Sequence, residues 1–136
     1  ETFWAVFNTQ LRRPEPLALP YEHFELFPDK KATRDTFSKI NLNHDKEMVF
    51  EKTVRLSDLD IVNHANNVKY LEWCLDLADE TRILNQEIES FEMNFMKELS
   101  LKDQVVIHEN NEKDTSIFSI TKEDKNCFAL QLNWKK

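Results

Sequence analysis

The chain has 136 residues, of which 40% are hydrophobic, and it carries a formal net charge of −7. This length suits one domain of ordinary size and the composition can fill a core, so an intrinsically disordered chain is excluded. A general nucleic-acid-binding role is disfavoured, because phosphate binding needs a concentrated basic face.

Three features of the sequence bear on the compartment of the protein: membrane-spanning segments, its first residues and its cysteines. It has no run of about 18 or more apolar residues that could span a membrane, and no basic start followed by an apolar stretch as in a signal peptide. The first residue is Glu1 rather than Met, which indicates a fragment or a processed form. Cys74 and Cys127 lie far apart and in no metal-like spacing, so we expect buried thiols in a cytoplasmic protein without metal or cofactor.

The sequence contains no glycine, although about nine or ten would be expected at ordinary usage. Tight strand connections need positive φ angles, which glycine adopts most easily. Two explanations stay open. Either asparagine and aspartate residues occupy all of these positions, or residues have been lost from the sequence.

The first part of the chain predicts one strand and a long connector. Residues 1–13, ETFWAVFNTQLRR, have apolar residues on both faces, as in a covered strand. Four prolines between positions 14 and 28 break regular structure, which predicts a linker over 14–46. Because so long a connector argues against one simple unit, we predict that 1–13 is the last strand of a preceding, mostly absent domain. Residues 47–136 would then form a domain of their own.

From residue 47 the pattern is clearer. EMVFEKTVRL (47–56) predicts a strand, and NNVKYLEWCLDLADETRIL (66–84) predicts one long helix. The apolar stripe of that helix consists of Val68, Leu71, Cys74 or Leu75, and Ala78. Strands in an antiparallel meander are predicted over 88–99, 104–110, 114–123 and 126–136.

The predicted helix and the predicted sheet each have an apolar face to bury, so they must pack against one another. The expected fold class is therefore α+β. An antiparallel β-sheet wrapped around one long central helix is the hot-dog fold.

Residues 55–73, RLSDLDIVNHANNVKYLEW, resemble the signature of the plant and bacterial acyl-acyl-carrier-protein (acyl-ACP) thioesterases. In that family D-x-D-x-N-x-H-x-N-N-x-K-Y-x-x-W precedes the central helix of the second of two hot-dog domains. The matching positions are Asp58, Asp60, His64, Asn66, Asn67, Lys69, Tyr70 and Trp73. FWAVFNTQLRRP (3–14) resembles the last strand of the first domain, and NFMKELSLKDQV (94–105) resembles the segment with an active-site Glu, here Glu98. The resemblance covers nearly all of the chain and implies the C-terminal half of such an enzyme.

Two positions depart from the family pattern. The family's catalytic Asn lies two residues before the His, where this chain has Val62, with its Asn at position 63. Either a residue has been lost between Asn63 and His64, or the site is a variant in which a local bulge brings Asn63 round. Leu99 stands where plant members often carry a cysteine, which disfavours a covalent cysteine route.

The resemblance implies hydrolysis of a fatty acyl-ACP thioester to a free fatty acid, in fatty-acid biosynthesis. It assigns Asp60, His64 and Glu98 to the active site, and we add Asn63 as an orienting residue. Asp60 or Glu98 would activate water, while His64 would polarise the thioester or move a proton.

The start of the helix, at Asn66 and Asn67, offers unpaired backbone N–H groups to a developing oxyanion. These residues also have an ordinary explanation as helix caps. Asp58 is expected to be a solvated turn residue.

The expected partners are an acyl-carrier protein with its fatty acyl chain and another hot-dog domain, in the same chain or in a homodimer. An acidic carrier predicts a local basic patch, for which the candidates are Arg12, Arg13, Lys30, Lys31, Arg34, Lys97 and Lys102. Two alternatives stay open. The chain would hydrolyse acyl-CoA instead, or it would be a non-catalytic hot-dog half that binds acyl chains or completes an assembly.

Overall fold

The computed structural model describes residues 6–11, 13–16, 22, 25, 27, 29–31, 38–43 and 47–136. The chain divides into two compact units, Glu1–Ser38 and Lys39–Lys136. The domain boundaries expected from the sequence, after residues 13 and 46, stay predictions.

In the first unit the described residues form a small hairpin. Strands β1 (Val6–Asn8) and β2 (Arg13–Glu15) are antiparallel neighbours. The side-chain oxygen of Asn8 accepts the backbone N–H groups of Gln10 (2.9 Å) and Leu11 (2.7 Å), which turns the chain. The prediction of one strand through residue 13 is therefore wrong after Asn8, and the predicted strand residues 1–5 lie outside the described part.

Pro14 lies inside β2, opposite Phe7, although the sequence predicted that prolines break regular structure from this residue onward. A two-stranded pair has only edge strands, and an edge strand tolerates a proline. Most of the predicted linker over 14–46 lies outside the described residues.

In the second unit the described residues form one antiparallel sheet and two helices. The elements are β3 (Glu47–Thr53), α1 (Asn67–Leu75), α2 (Glu80–Asn85), β4 (Ile88–Phe95), β5 (Gln104–Asn111), β6 (Thr115–Lys122) and β7 (Lys125–Trp134). The strand order is β3–β5–β6–β7–β4. Strands β5, β6 and β7 form the predicted meander, but the prediction that β4 precedes them in it is wrong. β4 pairs with β7 instead of β5. The connection from β4 to β5, residues 96–103, is a crossover that is longer than a hairpin loop.

The helix α1 packs its aromatic residues against one face of the sheet. Tyr70, Trp73 and Cys74 are buried in one cluster with residues of β6 and β7. The predicted alternation on β7 is confirmed, since Phe128, Leu130, Leu132 and Trp134 are all buried. The predicted helix stripe was wrong at Val68, which is exposed, because burying the larger Tyr70 and Trp73 rings sets the rotation of the helix. The α+β hot-dog prediction is thereby confirmed.

The helical segment is shorter than predicted, because it breaks after Leu75. The carboxylate of Asp79 accepts the N–H groups of Thr81 (2.8 Å) and Arg82 (3.2 Å) and so starts a second helix. The prediction of one continuous helix over 66–84 is wrong for this reason. An aspartate inside an apolar repeat caps a new helix more readily than it extends the old one.

The other face of the sheet is covered at its centre by residues that the sequence assigned to the linker. Ile40 is buried against Ile117 and Ala129, and its N–H donates to the Asn94 side chain at 2.8 Å. Ile40 and Leu42 therefore pack on the sheet, and β6 is buried along most of its length.

The lack of glycine is accommodated by other residues. In the described part, positive φ angles fall on Asn63, Lys102, Glu123 and Asp124. Asparagine and aspartate hold only two of these positions, so the explanation that they occupy all of them is wrong. Lys102 and Glu123 adopt the same conformation at a higher cost.

The β6–β7 hairpin gives a test of this cost. Glu123 (φ 50°) and Asp124 (φ 60°) connect paired Lys122 and Lys125, as in a type I′ turn. Glu123→Asn with Asp124→Gly should raise the free energy of unfolding by about 1 kcal/mol, because both new residues adopt positive φ more easily. Urea unfolding measures the change. Lys113→Gly, in the β5–β6 connection, is the control, and an equal gain there would contradict the explanation.

Candidate active site

A short closed turn presents His64. Leu59 and Ala65 pair across it, the Asp60 N–H donates to the His64 carbonyl oxygen at 2.9 Å, and the Asn63 N–H donates to the Asp60 carbonyl oxygen at 3.2 Å. Asn63 closes the turn with a φ of 64°. Asparagine adopts this left-handed conformation more readily than most residues, which explains its presence at the position.

The side chain of Asp60 stabilises this same turn. One carboxylate oxygen accepts the backbone N–H groups of Val62 (2.9 Å) and His64 (3.2 Å). Hydrogen bonds to a charged acceptor are stronger than neutral ones. The structure therefore gives Asp60 a definite role in holding the His64 backbone.

The crossover after β4 runs beside this turn. Met96 and Lys97 both donate their N–H groups to the Cys127 carbonyl oxygen, at 2.8 and 3.1 Å. Further along, the Ala65 N–H donates to the Leu99 carbonyl oxygen at 2.8 Å, and the Leu99 N–H donates to the buried Tyr70 hydroxyl oxygen at 3.0 Å.

As a result the structure brings together two of the residues that the sequence assigned to the site. The Oε2 atom of Glu98 lies 3.6 Å from the Nε2 atom of His64. The side chains keep 52% and 32% of their surface exposed, respectively, so a substrate can reach both. The arrangement has a carboxylate and an imidazole within reach of one water molecule, which suits proton transfer.

The start of α1 lies directly after the turn. The Asn66 side chain accepts the Val68 N–H at 3.0 Å, so the explanation of Asn66 as a helix cap is confirmed. The Asn66 N–H itself donates to the Asp58 carbonyl oxygen, and the Lys69 N–H donates to the Asn66 carbonyl oxygen. In the part of the chain that the structure describes, the Asn67 N–H is left without an acceptor at this helix start.

Two polar residues of the motif differ from the simplest expectation. Asp58 is buried rather than solvated. Its carboxylate accepts the Arg55 N–H at 2.7 Å, and this hydrogen bond spans a one-turn helix (Leu56–Asp58). The Asn63 side chain is exposed, and among the described residues no hydrogen bond joins it to His64 or Glu98. Its orienting role stays a prediction.

Tyr70 is the residue whose role the sequence did not reveal. It matched the family motif, but it lay outside the predicted apolar stripe of the helix and was given no role. A buried tyrosine hydroxyl usually finds a hydrogen-bond partner, which was the available signal, but the partner, Leu99, is 29 positions away. Burial raises the pKa of Tyr70 to about 12, so the hydroxyl keeps its proton at neutral pH.

The cysteines are unsuited to nucleophilic attack. Cys74 and Cys127 are buried and free, and burial raises the pKa of the Cys74 thiol to about 12 and that of the Cys127 thiol above its usual value. Leu99 is fully buried as well, so its position faces the core. No group of three potential metal ligands occurs among the described residues, and none of the helices they form is long and apolar enough to cross a membrane.

Comparison with known proteins gives one family and several relatives. The family described as "Acyl-ACP thioesterase C-terminal domain" matches residues 41–136. The chloroplastic palmitoyl-acyl carrier protein thioesterase of Arabidopsis thaliana is 29% identical over 102 residues, which are 70% of this chain and 24% of the plant protein.

Solved structures show the same fold. An acyl-ACP thioesterase from Bacteroides thetaiotaomicron has a TM-score of 0.69 and 21% identity, over 95% of this chain and 53% of that one. The 12:0-ACP thioesterase from Umbellularia californica has a TM-score of 0.70 and 17% identity, over 95% of this chain and 52% of that one. This chain thus spans about a quarter of the plant relative and about half of each solved structure.

Proposed function

Because the chain belongs to the acyl-ACP thioesterase family through residues 41–136, we propose that its protein hydrolyses the thioester of fatty acyl-acyl-carrier protein. The product is a free fatty acid, and the reaction serves fatty-acid biosynthesis. The observation that carries the proposal is the approach of Glu98 to His64 at the start of α1. The free thiols of Cys74 and Cys127 fit a reducing compartment, and we place the reaction in the cytoplasm.

The proposed reaction uses water as the nucleophile. Glu98 accepts a proton from the water as its oxygen attacks the thioester carbonyl carbon. His64, 3.6 Å from Glu98, carries that proton to the sulfur as the carbon–sulfur bond breaks. The products are the fatty acid and the free thiol of the carrier.

The negative charge that develops on the carbonyl oxygen needs a donor. The Asn67 N–H is suited to this role, because it lies at the positive end of α1 and its neighbours at Val68 and Lys69 are already bonded. Asn66 contributes by fixing the helix start. The exposed Asn63, at the turn, is proposed to orient the bound thioester or the water.

Of the two carboxylates, Glu98 is the better candidate for the base. One carboxylate oxygen of Asp60 already accepts two backbone N–H groups of its own turn, so this side chain is engaged in holding the turn. We therefore assign Asp60 to holding His64 in place and Glu98 to proton transfer.

Pairing with another hot-dog domain is proposed from the edge of the sheet. Strand β4 pairs only with β7 among the described strands, so its other edge is open. Phe91 and Phe95 are exposed along it. An open edge with apolar side chains is favoured as a contact surface between domains.

Substitution of the two carboxylates tests the assignment. Glu98→Gln should lower kcat for acyl-ACP hydrolysis by about 10²- to 10⁴-fold, the usual contribution of a general base, and His64→Ala should lower it by orders of magnitude as well. Asp60→Asn should keep most of the activity, because the amide oxygen can still accept the turn N–H groups. Steady-state hydrolysis of acyl-ACP measures all three.

Asp60→Ala is the matched control, because it removes the acceptor and should cost activity through the turn. The assignment of the base would be reversed if Glu98→Gln kept the wild-type activity while Asp60→Asn lost activity. Turnover of acyl-CoA alone would favour the acyl-CoA alternative, and a folded wild type with no turnover on either substrate would favour a non-catalytic half.

The carrier is proposed to approach beside Glu98. Lys97 and Lys102 are exposed in the crossover that carries Glu98, whereas Arg12 and Arg34 lie outside the described residues. Positive charges next to the catalytic pair would attract an acidic carrier and orient its prosthetic arm.

Charge reversal tests this surface. Lys97→Glu with Lys102→Glu should raise KM for acyl-ACP by about 3- to 10-fold at low salt, with less effect at high salt, because exposed charges are screened. Hydrolysis of a small uncharged acyl thioester should be unchanged. Lys113→Glu with Lys136→Glu, at the opposite end of the sheet, is the control, and an equal rise in KM there would refute a local docking surface.

A further inference from the structure

We propose that Tyr70 is a positioning residue for hydrolysis, because its hydroxyl fixes the backbone of Leu99 and thereby holds Glu98 beside His64. The inference rests on the proposed function of the His64–Glu98 pair. Tyr70 itself does not touch the substrate in this scheme and acts only through the chain next to Glu98.

The first support is that Leu99 is bonded through both of its backbone groups. Its N–H donates to the Tyr70 hydroxyl at 3.0 Å, and its carbonyl oxygen accepts the Ala65 N–H at 2.8 Å. Leu99 directly follows Glu98, and Ala65 directly follows His64. The two hydrogen bonds therefore fix the distance between the segment with Glu98 and the segment with His64. They do so at the residues that directly follow the two catalytic side chains.

The second support is that the position of the Tyr70 hydroxyl is itself determined by the core. The residue is 2% exposed. Its ring centroid lies 5.5 Å from that of Trp73, 5.8 Å from that of Phe95 and 5.4 Å from that of Phe128. Rings from the helix and from two strands thus surround it, which leaves the hydroxyl little freedom to move.

The third support is the course of the crossover. Before Glu98 the chain is attached to β7 through the Met96 and Lys97 N–H groups, and after Leu99 the Ser100 N–H donates to the Asp103 carboxylate at 2.9 Å. Between these attachments, the Leu99 backbone is bonded to Tyr70 and Ala65. Loss of the Tyr70 hydroxyl would remove one of the two backbone attachments at the residue next to Glu98 and leave only the bond to Ala65.

The test is Tyr70→Phe in the intact protein, which removes one oxygen and keeps the ring. We expect kcat for acyl-ACP to fall by about 10- to 100-fold with KM within about twofold, since a misplacement of about 1 Å can cost that much. In a Glu98→Gln background the same substitution should change the residual kcat by less than about twofold, because Tyr70 acts through Glu98.

Ser116→Ala is the matched structural control. The Ser116 hydroxyl accepts the Trp134 indole N–H at 3.1 Å in another buried hydrogen bond, near the other end of β7. Ser116→Ala should lower Tm to a similar degree as Tyr70→Phe and leave kcat unchanged. If Tyr70→Phe alone fails to fold, the same substitution is made together with the Asn–Gly hairpin at positions 123 and 124.

The outcomes separate the inference from the proposed function. The positioning role would be overturned if Tyr70→Phe kept the wild-type kcat. It would also be overturned if the substitution lowered kcat by the same factor in the Glu98→Gln background as in the wild type. A wild-type protein that hydrolyses no acyl-ACP would refute the proposed function itself.

Discussion

The arrangement of the site depends on the backbone of one residue, Leu99. Its N–H and its carbonyl oxygen are bonded to Tyr70 on the helix and to Ala65 in the turn, and its side chain is fully buried. A buried N–H without an acceptor would cost roughly 1–3 kcal/mol, so the Tyr70 hydroxyl is more than an incidental contact. Because Glu98 and His64 are the residues immediately before Leu99 and Ala65, this constraint places a carboxylate beside an imidazole.

The rest of the fold provides the partners for that constraint. The strand order puts β4 next to β7 at the edge, so the chain must cross the sheet to reach β5. That crossover passes the start of α1. The turn that the Asp60 side chain holds lies directly before this helix start. The helix contributes Tyr70 from its buried face and the Asn67 N–H from its first turn. A hot-dog domain therefore brings two segments that are distant in sequence, the turn with the helix start that follows it and the crossover after β4, to one end of its helix.

Local patterns predicted much of this structure. Alternation on β7 and the short polar connections of β5, β6 and β7 identified three strands. The family resemblance singled out Asp60 and His64 in one segment and Glu98 in another, and the structure places Glu98 beside His64. The position of β4, the approach of Glu98 to His64 and the hydrogen bond between Tyr70 and Leu99 depend on long-range pairing, which periodicity does not encode. The break after Leu75 was encoded locally in Asp79, but the apolar repeat on both sides obscured it.

Native-state hydrogen exchange of the Leu99 amide tests the central claim most directly, because it does not depend on activity. The Leu99 N–H should exchange slowly in the wild type, and about tenfold or more faster in Tyr70→Phe, as expected for the loss of a hydrogen bond worth about 1.4 kcal/mol. The Trp134 amide, bonded to the Asp114 carbonyl oxygen at the other end of the sheet, should change much less. A Leu99 amide that exchanges as fast as exposed loop amides in the wild type, or equally slowly in both proteins, would contradict the claim.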